Sequence, residues 1–139
     1  MSRPSFFSWS AAGVDRRWLA AAFAYAAVVF FVSSRPYLRP MGPEFELKDN
    51  LAHAIEYGVL ATLLFRALAP LTWPDAATTF LLIVAVAASV GAADEVFQGT
   101  VPGRRRDIAD WASDTTGAAL AAAVCVWRAR RTRATGMAP

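Results

Sequence analysis

The stretch ADEVFQGTVPGRRRDIADWASDTTG, residues 93–117, decides the fold. Its acidic residues sit toward both ends, and three arginines follow Pro102 and Gly103, a pair that marks a turn. Before it lies the apolar block that starts at Ala76, after Asp75. Behind it runs an uncharged segment from Thr115 to Trp127, closed by Arg128. A polar turn between two such blocks reads as a helical hairpin with its loop at one membrane surface, since a spanning helix needs roughly 20 mostly apolar residues.

Working outward adds two more blocks. The predicted spans lie at about residues 18–33, 51–71, 76–96 and 108–127. Pro36, Pro40, Gly42 and Pro43 punctuate the first gap, and Pro70 and Pro74 the second. The expectation is an all-α, integral membrane four-helix bundle forming one domain over residues 1–139. Composition agrees: 56% of residues are hydrophobic and the mean hydropathy is +0.35, above the roughly 45–50% apolar content of soluble domains. The first block lacks a small-residue cleavage site leading into a soluble domain, so it reads as a retained span.

Net charge is +3. The arginines flank apolar blocks and form no basic helix interleaved with aromatics, which sets nucleic acid aside and makes membrane lipids the expected surroundings. The single cysteine, Cys125, has no intramolecular partner and reads as a small buried residue in an Ala/Val run. An abundance of alanine and arginine, with Lys48 the sole lysine, suggests a GC-rich bacterial genome. With both termini inside, eight basic residues fall on the inner side and six on the outer. Arg128, Arg130, Arg131 and Arg133 are the strongest cue for this N-in, C-in arrangement. In either orientation, four spans place the start of the second, the end of the third and the start of the fourth on one side.

Those three places hold the unusual residues. The second span opens with DNLAHAIEY, where His53, Glu56 and Tyr57 share a helical face and Asp49 extends it by one turn. The third closes with Asp94, Glu95 and Gln98. The fourth opens with Asp107, Asp110 and Asp114 on one face. The 13 uncharged residues from Thr115 to Trp127 cover roughly 20 Å at about 1.5 Å each, against a hydrocarbon core of about 30 Å. Asp114 is therefore expected below the interface. Ionisable groups inside a bilayer are costly unless paired or facing water, so these side chains are expected to share a polar, partly hydrated pocket opening to the outer face.

The pocket offers His53 and Glu95 as acid/base candidates, the alternative for His53 being a hydrogen bond that glues two helices. His53, Glu56, Glu95 and Asp110 carry metal-ligating atoms, but there is no second histidine, and no metal or cofactor is expected. Cys125 sits 11 residues beyond Asp114, roughly 16 Å along the axis, too far to partner His53. Arg104, Arg105 and Arg106 read either as a clamp for an anionic headgroup or as an internal ion-pair set with Glu95, Asp107 and Asp110. Small-residue stripes at Ser113, Gly117 and Ala121, and at Ala85, Ser89 and Ala93, suit close helix contact.

The blocks DNLAHAIEY and ADEVFQGTVPGRRRDIADWASDTTG resemble the two signature regions of the VanZ-like membrane proteins. Asp49, His53 and Tyr57 match the first region; Glu95, Gln98, Pro102, Gly103, Arg104, Asp110 and Gly117 match the second. Asn50 stands where the family usually has lysine, and Asp114 where it usually has asparagine, so this site is expected to be more acidic than the family's norm. The resemblance implies a bacterial cytoplasmic (inner) membrane location and an envelope-related role, the founding member being linked to teicoplanin resistance. It supplies no reaction.

Three functions remain open on the sequence. One is a protein that binds the headgroup of a lipid-linked envelope precursor or a glycopeptide. Another is a membrane-embedded enzyme acting on a lipid-linked phosphate. The third is an ion or proton relay, for which an oligomer could line the path.

Overall fold

A computed structural model of the chain describes residues 13–36, 43–69 and 75–134. Four helices follow one another: α1 (Arg16–Ser33), α2 (Pro43–Leu68), α3 (Ala76–Gln98) and α4 (Ile108–Ala134). There is no strand among the described residues, and the all-α bundle expected from the sequence is the fold found. α1, α3 and the Leu47–Leu68 part of α2 are each long and apolar enough to cross a membrane. α4 does not reach that standard, because it carries Asp110 and Asp114 near its start and arginines near its end.

Local chemistry sets the helix starts. Asp15 caps α1 by accepting from the Arg17 N–H at 2.9 Å. Asp75 caps α3, accepting from the Thr78 N–H at 2.7 Å and the Thr78 hydroxyl at 2.9 Å. These hydrogen bonds hold the Asp75 carboxyl below the ordinary carboxylate range. α2 begins at Pro43, eight residues ahead of the expected position 51, so Asp49 lies inside the helix. Proline at a first helical position has a fixed φ already suited to the helix and lacks only an N–H that would be unbonded there. α4 continues seven residues past Trp127 because Arg and Ala are good helix formers. α3 runs two residues past position 96. α2 ends at Leu68, and position 71, where that span was expected to end, lies outside the described residues.

The closest pairing joins α2 to α4, with α3 packed against α4. A Cβ at Gly117 would overlap the carbonyl of Ala54, and one at Gly58 would lie 3.4 Å from the Gly117 carbonyl oxygen. The two backbones therefore touch here, which only small residues allow. The core around them is made of Tyr57, Leu60, Ala61, Ile83, Ala87, Ala118 and Ala122. Large apolar side chains such as Phe23, Leu81 and Leu120 point outward and are 62–70% exposed, as expected of a lipid-facing surface. The α4 stripe makes a close helix contact, with α2, through Gly117 and Ala121. α3 meets its neighbours through Ile83, Ala87, Gly91 and Asp94, which leaves Ala85, Ser89 and Ala93 along a shallow apolar groove of about 480 Å³ shared with Ala26 and Phe30 of α1.

The bundle has two distinct ends. At one, the Asp15 N–H donates to the Ala67 carbonyl at 2.9 Å and the Arg66 guanidinium lies 5.1 Å from the Trp18 ring. At the other, Phe30 meets Phe97 at 5.7 Å and Arg104 Nε donates to the Arg35 carbonyl at 3.2 Å. α4 starts at this second end and runs toward the first, where Arg131 lies 4.1 Å from the Trp127 ring. Arginine stacked on tryptophan is suited to a membrane interface, where the ring is amphipathic and the cation meets water.

Candidate functional site

The second end of the bundle gathers the polar residues. From α2 come His53, Glu56 and Tyr57. From α3 come Asp94, Glu95 and Gln98. α4 supplies Asp110 and Asp114, one turn apart, and the loop between α3 and α4 supplies Arg104. His53 Nδ1 lies 2.9 Å from Asp114 Oδ1, and its Nε2 lies 3.8 Å from Asp110 Oδ2. The imidazole thus sits between two carboxyl groups of the neighbouring helix, and the α2–α4 contact is polar at this level. Asp114 is fully buried; a Cβ on Gly91 would come within 3.1 Å of its Oδ2. Gly91 leaves the room that lets this carboxyl lie flat against α3.

A second chain of hydrogen bonds runs across α3. Asp94 Oδ2 accepts from the Ser33 hydroxyl of α1 at 2.9 Å and from Gln98 Nε2 at 2.8 Å. Gln98 Oε1 accepts from Arg104 Nη1 at 3.0 Å. Arg104 therefore turns inward, toward the helix ends, and Arg105 and Arg106 are exposed beside it. Gly103, the one positive-φ residue described (φ 84°), turns the chain into this run. Glu95 bonds elsewhere. Its Oε2 accepts from the Asp107 N–H at 2.7 Å, and Asp107 Oδ1 in turn accepts from the Ala109 N–H at 2.9 Å. The two carboxyl groups together satisfy backbone donors at the start of α4.

Several buried oxygens make no hydrogen bond: the Tyr57 hydroxyl, Asp94 Oδ1, Glu95 Oε1, Asp114 Oδ2 and the Thr115 hydroxyl. Tyr57 is 1% exposed and lies within electrostatic range of Glu56, Asp94, Glu95 and Asp114. Glu56 is half-buried and within range of His53, Asp49 and Tyr25. Among the described residues, no group of three or more His, Cys, Asp or Glu is arranged to hold a metal ion.

The candidates named on the sequence are thus drawn to one end of the bundle, with Asp49 at its edge, one turn from His53. Their surroundings differ from the expectation. The side chains bond to one another between tightly packed helices, and the 480 Å³ groove is apolar and lies between α1 and α3. Ser33 was missed, although it stands at the end of the first apolar block next to a second serine and an arginine. Gly91 was missed too, since nothing in an Ala/Val-rich run announces the carboxyl it accommodates.

A family model described as VanZ/LLP1 matches residues 5–129. The chain belongs to that family. The match covers all four helices almost completely, and with the three span-forming helices it makes this VanZ/LLP1 protein a membrane protein. No curated protein and no solved structure matches it significantly.

Proposed function

We propose that this VanZ/LLP1 protein binds the anionic headgroup of a lipid-linked or other envelope lipid at the polar end of its bundle, and that it contributes in this way to envelope or glycopeptide-antibiotic tolerance. In this reading all four helices cross a bacterial cytoplasmic membrane, both termini lie inside, and the site faces outward. The observation that carries it is the Gly103–Arg106 turn. Arg104 is bonded inward to Gln98, which fixes the loop, and Arg105 and Arg106 remain exposed at the head of an apolar bundle. Arginines held at an interface match the oxygens of a phosphate bidentately, and the membrane supplies such phosphates at that depth.

The test is lipid retention by the purified chain in nanodiscs of phosphatidylcholine doped with phosphatidic acid. Replacing Arg105 and Arg106 together by alanine should weaken phosphatidic acid binding about tenfold, the equivalent of one charge-assisted contact. Unchanged retention would rule the reading out. In cells, loss of the protein should lower teicoplanin tolerance, and the double alanine variant should fail to restore it.

One observation favours a second reading, an enzyme acting on a lipid-linked phosphate. His53 paired with Asp114 at 2.9 Å is an oriented acid/base of the kind hydrolytic chemistry uses. Turnover of a polyprenyl phosphate by the native chain, abolished in His53→Ala, would replace binding by catalysis.

A further inference from the structure

The apolar groove between α1 and α3 has no part in holding a phosphate. The two helices meet at the polar end of the bundle, where the Ser33 hydroxyl donates to Asp94 at 2.9 Å and Phe30 lies 5.7 Å from Phe97. Below that junction they leave a groove of about 480 Å³. Its α3 side is Ala85, Ser89 and Ala93, with Val86 and Val90 beside them; its α1 side is Ala26 and Phe30. These residues recur every four positions, so the groove runs along the helix axes. From Ala85 to Ala93 it extends about 12 Å. Its lining is dry, because the Ser89 hydroxyl turns back to the Ala85 carbonyl at 2.7 Å.

The surroundings of the groove name its occupant. α1 and α3 are both long and apolar enough to cross a membrane, so a recess between their outer faces meets either hydrocarbon or another helix. Left empty, it would forfeit the contacts of its lining. Size favours hydrocarbon. A methylene takes up about the volume share of a water molecule, roughly 30 Å³, so the groove accommodates about sixteen of them, one acyl chain. A helix segment of the same length and roughly 10 Å across occupies about 900 Å³ and could enter only in part. Charge at the head of the groove then selects the lipid. Ala93 adjoins Asp94, and Phe30 stands one turn before Ser33, so the groove ends against the hydrogen-bonded chain of Ser33, Asp94, Gln98 and Arg104. Arg104 reaches across this head to the Arg35 carbonyl at 3.2 Å. The exposed Arg35 guanidinium lies 4.5 Å from the Phe31 ring. Arg106 folds over the end of α3, where a Cβ on Gly99 would meet its Nε and Cγ. Three arginines thus stand at the ends of the two helices that form the groove.

We infer that the α1–α3 groove seats one acyl chain of the anionic phospholipid whose phosphate lies on the arginine turn. The inference rests on the headgroup reading above and extends it: recognition has an apolar half, parallel to the helices, and the phosphate stays at the exposed surface. No headgroup has to enter the packed carboxyl cluster. Lipid surrounds the chain inside the groove and outside it, so the gain is one of packing and the preference is severalfold.

The experiment uses the full chain in phosphatidylcholine nanodiscs. These carry, at equal mole fraction, either phosphatidic acid or phosphatidylcholine with a diazirine midway along one acyl chain. After illumination, peptide mass spectrometry reads which residues are labelled. Phosphatidic acid should label residues 26–30 and 85–93 about fivefold above Phe23 and Leu120, which are exposed at 70% and 65%. In the groove it should also exceed the phosphatidylcholine probe about fivefold. Ser89→Leu, which fills the groove from an exposed position, should lower the labelling of residues 26–30 and the retention of unmodified phosphatidic acid about threefold. The native chain decides the matter even if that variant folds poorly. Even labelling of the lipid-facing residues overturns the inference, and so does equal labelling of the groove by the two lipids. A dimer in native mass spectra that Ser89→Leu dissociates, with the groove unlabelled, assigns the groove to a second copy and overturns it too. The two proposals fail separately. If replacing Arg105 and Arg106 by alanine leaves phosphatidic acid retention unchanged, the phosphate reading falls, and the labelling preference alone decides the acyl seat. If retention depends on those arginines while the groove stays unlabelled, only the acyl seat falls.

Discussion

The pairing of His53 with Asp114 can be weighed by a double-mutant cycle. The two side chains meet at 2.9 Å, with 12% of the histidine side chain and none of the aspartate side chain exposed. Hydrogen bonds to charged groups contribute about 1.5–3 kcal/mol in water-soluble proteins. Between membrane helices the coupling averages roughly 0.6 kcal/mol and reaches about 1.7, because the separated helices also find partners. A short, charge-assisted contact with one fully buried partner belongs at the upper end, so the expected coupling is about 1.5 kcal/mol. The 3.8 Å approach of Nε2 to Asp110 is too long for a hydrogen bond, and its coupling should stay below about 0.6 kcal/mol. The cycle uses His53→Ala, Asp114→Ala, Asp110→Ala and the two doubles, with unfolding free energies measured by steric trapping in bicelles. Single changes at His53 and Asp114 should each be costly and the double much less than their sum. Additivity within roughly 0.3 kcal/mol for His53 and Asp114, or equal coupling to both aspartates, would refute the geometry on which the site is built.

Other outcomes follow from the same structure. Gly117→Ala should destabilise the bundle by about 1–3 kcal/mol, as overpacking does, because its Cβ meets the Ala54 backbone. Gly58→Ala, with ordinary contacts at 3.4 and 3.7 Å, should cost far less, and thermal unfolding in detergent compares the two. Glu95→Ala should remove the acceptor of the Asp107 N–H and raise hydrogen exchange over the first turn of α4, at a cost of about 1 kcal/mol. Glu95→Gln, which keeps an acceptor, should be milder. Asp75 supplies a pH dependence. Its folded carboxyl lies below the ordinary aspartate value of 3.8, so its cap is in force above that value and is lost as pH falls through the lower folded value. Amide exchange at Thr78 and Thr79 should quicken on acidification in that window, and in Asp75→Ala that acid-induced quickening should be absent.

The helix count, the order of the elements and the meeting of three helix ends were legible in the sequence, because hydropathy blocks and turn residues are local signals. The start of α2 was less legible: four Pro and Gly residues between positions 36 and 43 read as one loop, whereas the last of them opens a helix. His53 and its carboxyl neighbours stood out because charge in an apolar block is rare. Which carboxyl faces which donor depends on how helices are rotated against one another. The seating of Gly117 on the Ala54 backbone fixes that rotation between α2 and α4; the small-residue stripe on the fourth span pointed to a close contact but not to its partner. Glu95 shows the difference best. On the sequence it was an acid/base candidate; in the structure one of its oxygens caps a helix while the other stays buried without a partner.

The polarity of α4 has a consequence for how the chain is made. A helix with two aspartates in its first two turns is a poor substrate for insertion on its own, since an aspartate in a spanning segment costs up to roughly 3 kcal/mol on the translocon scale. Its carboxyls find their partner in His53, which belongs to a segment translated earlier, and α4 lies directly on that segment's backbone. In the four-span reading α4 therefore enters the bilayer as a guest of α2, held at the translocon until the histidine is in place. A truncated chain lacking α2 should leave its last helix stranded in water.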